Sequence, residues 1–271
     1  MPSASSNTGT VGKALWVLEL VAEQGQPVRF SDLISAAPYP KATLYRLLQT
    51  LVADGLLEFD SETGLYSLGM RLVKLAHAAW SQSSLAPIAR PYLDALSQEA
   101  GITVHLAQLE SAQVLYVDKR MAKQPVQMFS QAGKVGPAYC TGVGKAMLAH
   151  LPESDLERVL SQQSWHVFTE HTIASPDQMR VELSKIRHQG YALDQEEHEP
   201  GIICVATPVL SRRGRVLGAI SLTTTTLQMN LDALITWVPR MQTIAHKIAM
   251  ETENWRFPES VHSSMPKGVH A

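Results

Sequence analysis

Apolar positions recur along this chain with two periods, and the switches between them mark out its elements. Val11, Ala14, Leu15, Leu18, Val21 and Ala22 follow helical spacing and stop near Gly25. The spacing returns after Pro40, which suits a first helical position because its missing N–H costs nothing there. Leu44, Leu47, Leu48, Leu51 and Val52 then recur at i, i+3, i+4, i+7 and i+8, the stripe of one buried helical face. Gly55 is a natural helix stop. Leu56, Leu57 and Phe59 start a strand, residues 60–64 turn, and 65–68 return. Residues 30–66 thus read as a short helix, a Pro-bearing turn, a second helix and a two-stranded ribbon. That is the order of a winged helix-turn-helix.

The outer face of the second helix carries Ala42, Arg46 and Gln49, flanked by Thr43 and Tyr45, with Lys41 at its start. Arg and Gln make bidentate contacts with base edges, and Thr and Tyr hydroxyls suit phosphates. The N–H groups at a helix start also favour anions. These six residues are the candidate DNA contacts. The bland alternative is a solvated surface helix. Charge weighs against strong binding. Residues 1–75 hold six basic side chains (Lys13, Arg29, Lys41, Arg46, Arg71, Lys74) and seven acidic ones (Glu19, Glu23, Asp32, Asp54, Glu58, Asp60, Glu62), so no strong basic footprint exists. Pairing two copies on two half-sites is the remedy.

Downstream, residues 69–84 keep helical spacing and read as a linker helix. Trp80 within it reads as a core residue or as a contact to a neighbouring domain or subunit. Residues 85–255 read as one α/β domain. Its first helix covers 85–100. Strands follow at 103–109, 113–119 and near 126–129, with a loop at 133–140. Helices follow at 142–150, from 152–153 onward, and at 178–189. Strands at 191–194, 203–210 and 216–223 precede a long helix over 231–255. Strands, helices, then strands again predict an antiparallel sheet with helices packed around it, an α+β arrangement. Residues 1–9 and 256–271 read as disordered ends.

With 271 residues, 45% hydrophobic and 18% charged, the chain is long enough for these two domains. A formal net charge of −2 gives no global attraction to nucleic acid or anionic membrane. Two cysteines, Cys140 and Cys204, argue against a disulfide framework. The opening MPSASSNTGT has no apolar signal core, and no apolar run approaches a membrane span, so a cytoplasmic location is expected.

Three segments concentrate small and polar residues in apolar surroundings. In CTGVGKAMLA, residues 140–149, Gly142 and Gly144 allow close backbone approach at a helix start that suits a carboxylate. Tyr139 and Ala146 defeat a Walker A reading, and Met147 defeats a dinucleotide loop. A glycine-rich cap with no ligand stays open. In YALDQEEHEPGIICVATPV, Asp194, Glu196, Glu197, His198 and Glu199 crowd one turn. A metal site and a solvated acidic loop are both open, and the irregular spacing favours the loop. Cys204 is a small hydrophobe or a weak donor. In GAISLTTTT, Ser221 and Thr223 share one strand face, lining either a polar pocket or a half-exposed edge. No nucleophile motif such as GxSxG occurs, and no histidine has a sequence reason to sit near either thiol. No catalytic residue is therefore assigned. The competing reading is a small-molecule hydrolase or metal-dependent enzyme, with the winged segment as an interaction module.

Over roughly residues 10–255 the chain resembles the IclR family of bacterial transcriptional regulators. The resemblance rests on PKATLYRLLQTLVADGLL, on YSLGMRLVKLA after the wing, and on the three segments above. Pro38 stands where glycine is common in the turn, and Ala42 where serine is common, which removes one phosphate contact. The resemblance implies a winged helix-turn-helix at 10–68, a linker helix at 69–84 and a GAF/PAS-like effector domain at 85–255. It also implies dimers, and tetramers as dimers of dimers, binding a double-stranded operator. The implied effector is a small organic acid or related metabolite of a catabolic operon, with repression the expected sign. Carried over by position, the effector site falls on Met128, Gly142, Val143, Asp194, Ile202, Cys204, Ser221 and Thr223, with Met147 a further wall. No metal and no cofactor is implied.

Overall fold

The computed structural model describes residues 9–83, 85–122 and 128–252. The chain divides into two compact units between Ala79 and Trp80. The first unit contains α1 (Thr10–Glu23), β1 (Val28–Arg29), α2 (Phe30–Ala36), α3 (Lys41–Ala53), β2 (Leu57–Asp60) and β3 (Leu65–Leu68). The stripe on α3 buries Leu44, Leu47, Leu48 and Leu51 against Trp16, Val17, Leu20 and Val21 of α1 and Leu33 of α2. Val52 is only partly buried.

Pro40 is the cap before α3 rather than its first residue. Its ψ of 144° is extended, and its carbonyl accepts the Thr43 and Leu44 N–H groups at 2.9 and 3.0 Å. The far end closes as a Schellman motif. Leu56 N–H reaches Leu51 O and Gly55 N–H reaches Val52 O, both at 2.9 Å, with Gly55 left-handed at φ +68°. β2 and β3 pair antiparallel from Leu57↔Leu68 to Asp60↔Leu65, and β1 joins the other side of β3. Asp60 holds the wing tip by accepting from Glu62 N–H (2.9 Å) and the Thr63 hydroxyl (2.6 Å).

The helix expected over 69–84 forms as α4 (Met70–Ser83), and the division of the chain falls within it. Trp80 on it belongs to the second unit. Its indole N–H donates to Val117 O at 3.0 Å, and the Arg90 guanidinium lies 4.9 Å from its ring.

The second unit contains α5 (Ala86–Ala100), β4 (Thr103–Glu110), β5 (Gln113–Arg120), β6 (Val135–Pro137), α6 (Gly142–Leu148), α7 (Glu153–Ser161) and α8 (Pro176–Gln189). It continues with β7 (Ala192–Gln195), β8 (Ile202–Leu210), β9 (Val216–Thr225), α9 (Leu231–Ile235) and α10 (Val238–Thr252). Its six strands run in the order β6-β5-β4-β9-β8-β7, and every pairing is antiparallel. Both faces are covered. On one, Val104, Leu106, Ile203, Val205, Ile220 and Leu222 meet α5 and α10. On the other, Ala107, Val114, Ala206 and Ala219 meet α6, α7 and α8.

Two expected elements differ. Most of the strand sought near 126–129 lies outside the described residues, and Met128 and Phe129 are not in a strand. The strand beside β5 is β6, inside the expected loop 133–140. The long helix over 231–255 is two helices, broken at Thr236 and Trp237. Pro239 lacks the N–H that an uninterrupted helix would need there, but is tolerated in the first turn of α10. The ends expected to be disordered lie, apart from Gly9, outside the described residues. Among the described residues no helix is long and apolar enough to cross a membrane.

Candidate functional site

Two regions carry chemistry, one in each unit. In the first, α3 turns Lys41, Ala42, Tyr45, Arg46 and Gln49 outward, while Thr43 is half-buried. Tyr45 packs edge-on against Phe30 with ring centres 5.9 Å apart. Gln49 interacts with the Tyr66 hydroxyl, which ties it partly to the wing. The Arg46 guanidinium has no partner among the described residues, while its carbonyl accepts the Thr50 hydroxyl at 3.0 Å. Arg71 is engaged, donating to Asp54 O at 2.7 Å across the end of α3.

The second region is a cavity in the second unit with about 30 Å³ of free space at the scale of a water molecule. The structure brings all eight expected effector residues to its wall: Met128, Gly142, Val143, Asp194, Ile202, Cys204, Ser221 and Thr223. Met147 does not line it, being fully buried in the α6–α8 core. Gly142 opens α6 directly against β8, where a Cβ would overlap Cys204 Sγ. Only glycine lets the helix seat this close. Thr141, the residue before the helix, donates its hydroxyl to Pro137 O at 2.8 Å. Ser221 and Thr223 are both buried, so the half-exposed alternative fails; strand alternation turns them into the cavity.

Sequence reasoning missed His105. It stands opposite Ser221 across β4 and β9. Its Nδ1 lies 3.3 Å from Ser221 Oγ and 3.2 Å from Thr223 Oγ1, and its Nε2 lies 2.8 Å from Ser130 Oγ. Burial, reinforced by Lys119, pushes its pKa down to about 3, so the imidazole is neutral. With the proton on Nδ1, the ring is a donor toward both hydroxyls, which lie 3.3 Å from each other, so that one can donate to its neighbour and the other to a ligand. Tyr116, Phe129, Ser130, Thr141, His198 and Glu199 complete the wall and were also missed.

The acidic turn is not the solvated loop its charge density favoured. Asp194 and Glu197 are buried. Glu196 takes a left-handed φ of +63° and accepts the Gly201 N–H at 2.6 Å. Thr169 and Thr172 donate their hydroxyls to the Glu196 and Glu197 carbonyls at 2.6 and 2.7 Å. Beneath the turn, Lys145 of α6 is buried and pairs with Glu197. Glu197 N–H in turn donates to Asp194 Oδ1 at 2.9 Å. Burial, then the Glu197 charge, raises the Asp194 pKa to about 7. Burial also raises Glu197, with Lys145 opposing. Glu199 is held below its ordinary value despite burial, because His198 and the Phe129 N–H bind its charge. The Lys145 ammonium supplies the compensation that a metal would bring. Among the described residues no group of three or more His, Cys, Asp or Glu is placed to hold a metal ion. Cys140 and Cys204 are buried thiols whose pKa values burial raises well above the ordinary range, which makes them inert nucleophiles.

Comparison with known proteins agrees with this geometry. The profile described as bacterial transcriptional regulator IclR C-terminal matches residues 77–250, and the IclR helix-turn-helix domain matches residues 10–61. The HTH-type transcriptional regulator XynR of Escherichia coli is 34% identical over 86% of this chain and 92% of its own length. The regulator KdgR of the same organism is 29% identical over 93% and 95%. The crystal structure of the Thermotoga maritima IclR superposes with a TM-score of 0.74 at 26% identity, covering 89% of this chain and 98% of that one. These relatives are DNA-binding regulators, and the hydrolase alternative finds no support among them. With both family profiles matched in order, the chain belongs to the IclR family of bacterial transcriptional regulators.

Proposed function

We propose that this regulator represses a catabolic operon and is released from its operator by a small organic acid or related metabolite. The observation that carries the reading is the cavity. Its wall joins the start of α6, at Gly142 and Val143, to the hydroxyls of Ser221 and Thr223. The first N–H groups of a helix lack intrahelical partners. Together with two hydroxyls they form a donor set that suits a carboxylate. Two relatives supply the sign. The Escherichia coli transcriptional repressor IclR is 28% identical over 81% of this chain, and the acetate operon repressor of Salmonella typhimurium is 29% identical over 78%.

In this reading residues 10–68 read DNA, 69–84 link, and 85–255 sense. DNA contact falls to Lys41, Ala42, Thr43, Tyr45, Arg46 and Gln49, and the work is done in the cytoplasm. The reader is a homodimer, and two dimers make the tetramer. The charge balance of residues 1–75 leaves a single copy a weak binder. Exposed Val11 and Leu15 on α1, and exposed Met70, Val73 and Leu75 on α4, give a second copy apolar surface to cover. The acid shifts the operator equilibrium only through different affinity for the bound and released states.

A gel shift on the chain's own upstream region tests both halves. Arg46→Ala is expected to weaken specific binding by about 1–3 kcal/mol. Ser221→Ala is expected to keep operator binding and lose release by the acid. Unchanged affinity in the first, or unchanged release in the second, refutes the matching half.

A further inference from the structure

The cavity poses an electrostatic problem for an organic acid. Two carboxyl groups face the space, Asp194 and Glu199, and among its described lining residues there is no lysine or arginine. Glu199 has its compensation: the Phe129 N–H donates to its two oxygens at 3.0 and 3.1 Å, and His198 Nδ1 lies 3.8 Å away. Lys119, whose charge also acts on Glu199, donates to Ser130 O at 2.7 Å.

Asp194 has less: one backbone N–H, that of Glu197, donates to its Oδ1 at 2.9 Å, and among the described residues no side-chain cation pairs with it. On its own turn it faces Glu197 and His198. From α6 it faces Lys145 and the backbone of Gly142. Cys204 of β8, Tyr116 of β5 and Cys140 complete its ionisable surroundings. Burial keeps the phenol and both thiols protonated, so they bring no charge. Among the described residues Lys145 is the one fixed cation acting on it, and Glu197 already takes it. His105 at the opposite wall is neutral. An anionic ligand entering beside an ionised Asp194 would set two like charges together in a dry site, where both cannot stay ionised.

We propose that Asp194 enters the effector complex as the neutral acid and donates a hydrogen bond to the ligand, so that an organic monoanion binding to the ionised form brings one proton with it. This rests on the acid-effector reading above and deepens it, because it makes the sensor read the acid and its proton together. The free protein is poised for it, with Asp194 raised to about 7 by burial and by Glu197. Below pH 6 Asp194 already holds its proton and the monoanion binds at full strength. Above pH 7 the proton must come from solvent and affinity falls. From pH 6 to pH 8 the dissociation constant rises about tenfold, and proton uptake climbs from near zero to about one.

The test is isothermal titration of the full chain with acetate, glycolate and pyruvate at pH 6, 7 and 8. Two buffers of different ionisation enthalpy count the protons, and glycolamide serves as the uncharged counterpart. The expected result is proton uptake with the acids and none with glycolamide. Asp194→Asn, a permanent neutral donor, is expected to bind the acids with no pH slope. His198→Gln is expected to keep the slope, which separates Asp194 from the imidazole beside it. Should Asp194→Asn fail to fold, the proton count in the parent and in His198→Gln still decides. Equal affinity at pH 6 and 8 without uptake, or loss of uptake in His198→Gln, overturns the coupling and leaves the acid site standing. No binding of any of the three acids at pH 6 overturns the acid-binding reading and the coupling with it.

Discussion

Replacing Lys145 with methionine removes an ammonium from the interior and leaves the length of the side chain nearly unchanged. Lys145 is 1% exposed and its partner Glu197 is 4% exposed, so solvent screens neither. The lone Glu197 then has two courses. It keeps its charge in a dry site, which costs several kcal/mol. Or it takes a proton, which from an ordinary value of 4.5 costs roughly 1.36 kcal/mol for each pH unit above it. The second course is cheaper, so protonation caps this loss at about 3.4 kcal/mol at pH 7 and about 0.7 kcal/mol at pH 5. The folded pKa of Glu197 is raised above the unfolded one, so its contribution is fully present below the unfolded pKa and is lost as pH rises. Burial already raises Glu197 in the parent, and losing Lys145 raises it further. Lys145→Met therefore destabilises the second unit more at pH 7 than at pH 5. Calorimetry at both pH values measures this. Each kcal/mol lost moves the midpoint of a unit this size by roughly 2–4 °C. Adding Glu197→Gln removes the extra pH slope. An equal loss at both pH values, a larger loss at pH 5, or a slope that survives in the double variant refutes the account.

Two further outcomes follow from the same packing. Gly142→Ala puts a methyl group into Cys204 Sγ and is expected to cost about 1–3 kcal/mol of stability together with the response to acid. Cys204→Ala in the same chain should restore both, because the next neighbours of that Cβ, Ala206 and Asp194, lie at 3.5 and 3.6 Å. Lack of rescue in thermal unfolding and gel-shift release would point to another cause. Cys140 and Cys204 are expected to resist thiol reagents at pH 8 in the folded protein and to react together in denaturant. Rapid labelling of either thiol in the native chain would contradict the burial assigned to it.

The elements legible in the sequence were those whose cause is local. The α3 stripe answers to one core, and Asp60 and Gly64 shape the wing by contacts within five residues. Gly142, Asp194, Ser221 and Thr223 stood out because small or polar groups sat among aliphatic ones. His105 gave no such signal. It lies in an ordinary strand, and its role comes from register with Ser221, which is 116 residues away. Lys145 reads by default as a solvated helix lysine, since its partner lies 52 residues further on. The acidic turn was misjudged for the same reason. Charge density in isolation favours solvent, and the groups that reverse it, Lys145, Thr169 and Thr172, come from other segments. Pro40 and Pro239 show the remaining limit. Each marks a helix start, and its placement within one or two residues depends on which neighbouring carbonyls find partners.

The two faces of the large sheet explain why the proposed sensing site lies where it does. Facing α5 and α10, β4, β8 and β9 carry Val104, Leu106, Ile203, Val205, Ile220 and Leu222, which fill that layer with branched aliphatics. Facing α6, the alternate positions of the same strands carry His105, Ala107, Cys204, Ala206, Ala219, Ser221 and Thr223. Smaller side chains there leave space that α6 cannot close, although Gly142 brings it as near as Cys204 allows. A void in a packed interior forfeits the contacts of its lining atoms. The polar lining adds donors that prefer a partner to an empty space. A small effector supplies both at once. It completes the α6 layer while the aliphatic layer behind the strands stays as it was. On the proposed reading the response is thereby directed to α6 and the acidic turn, the parts joined by Lys145, Glu197 and Asp194.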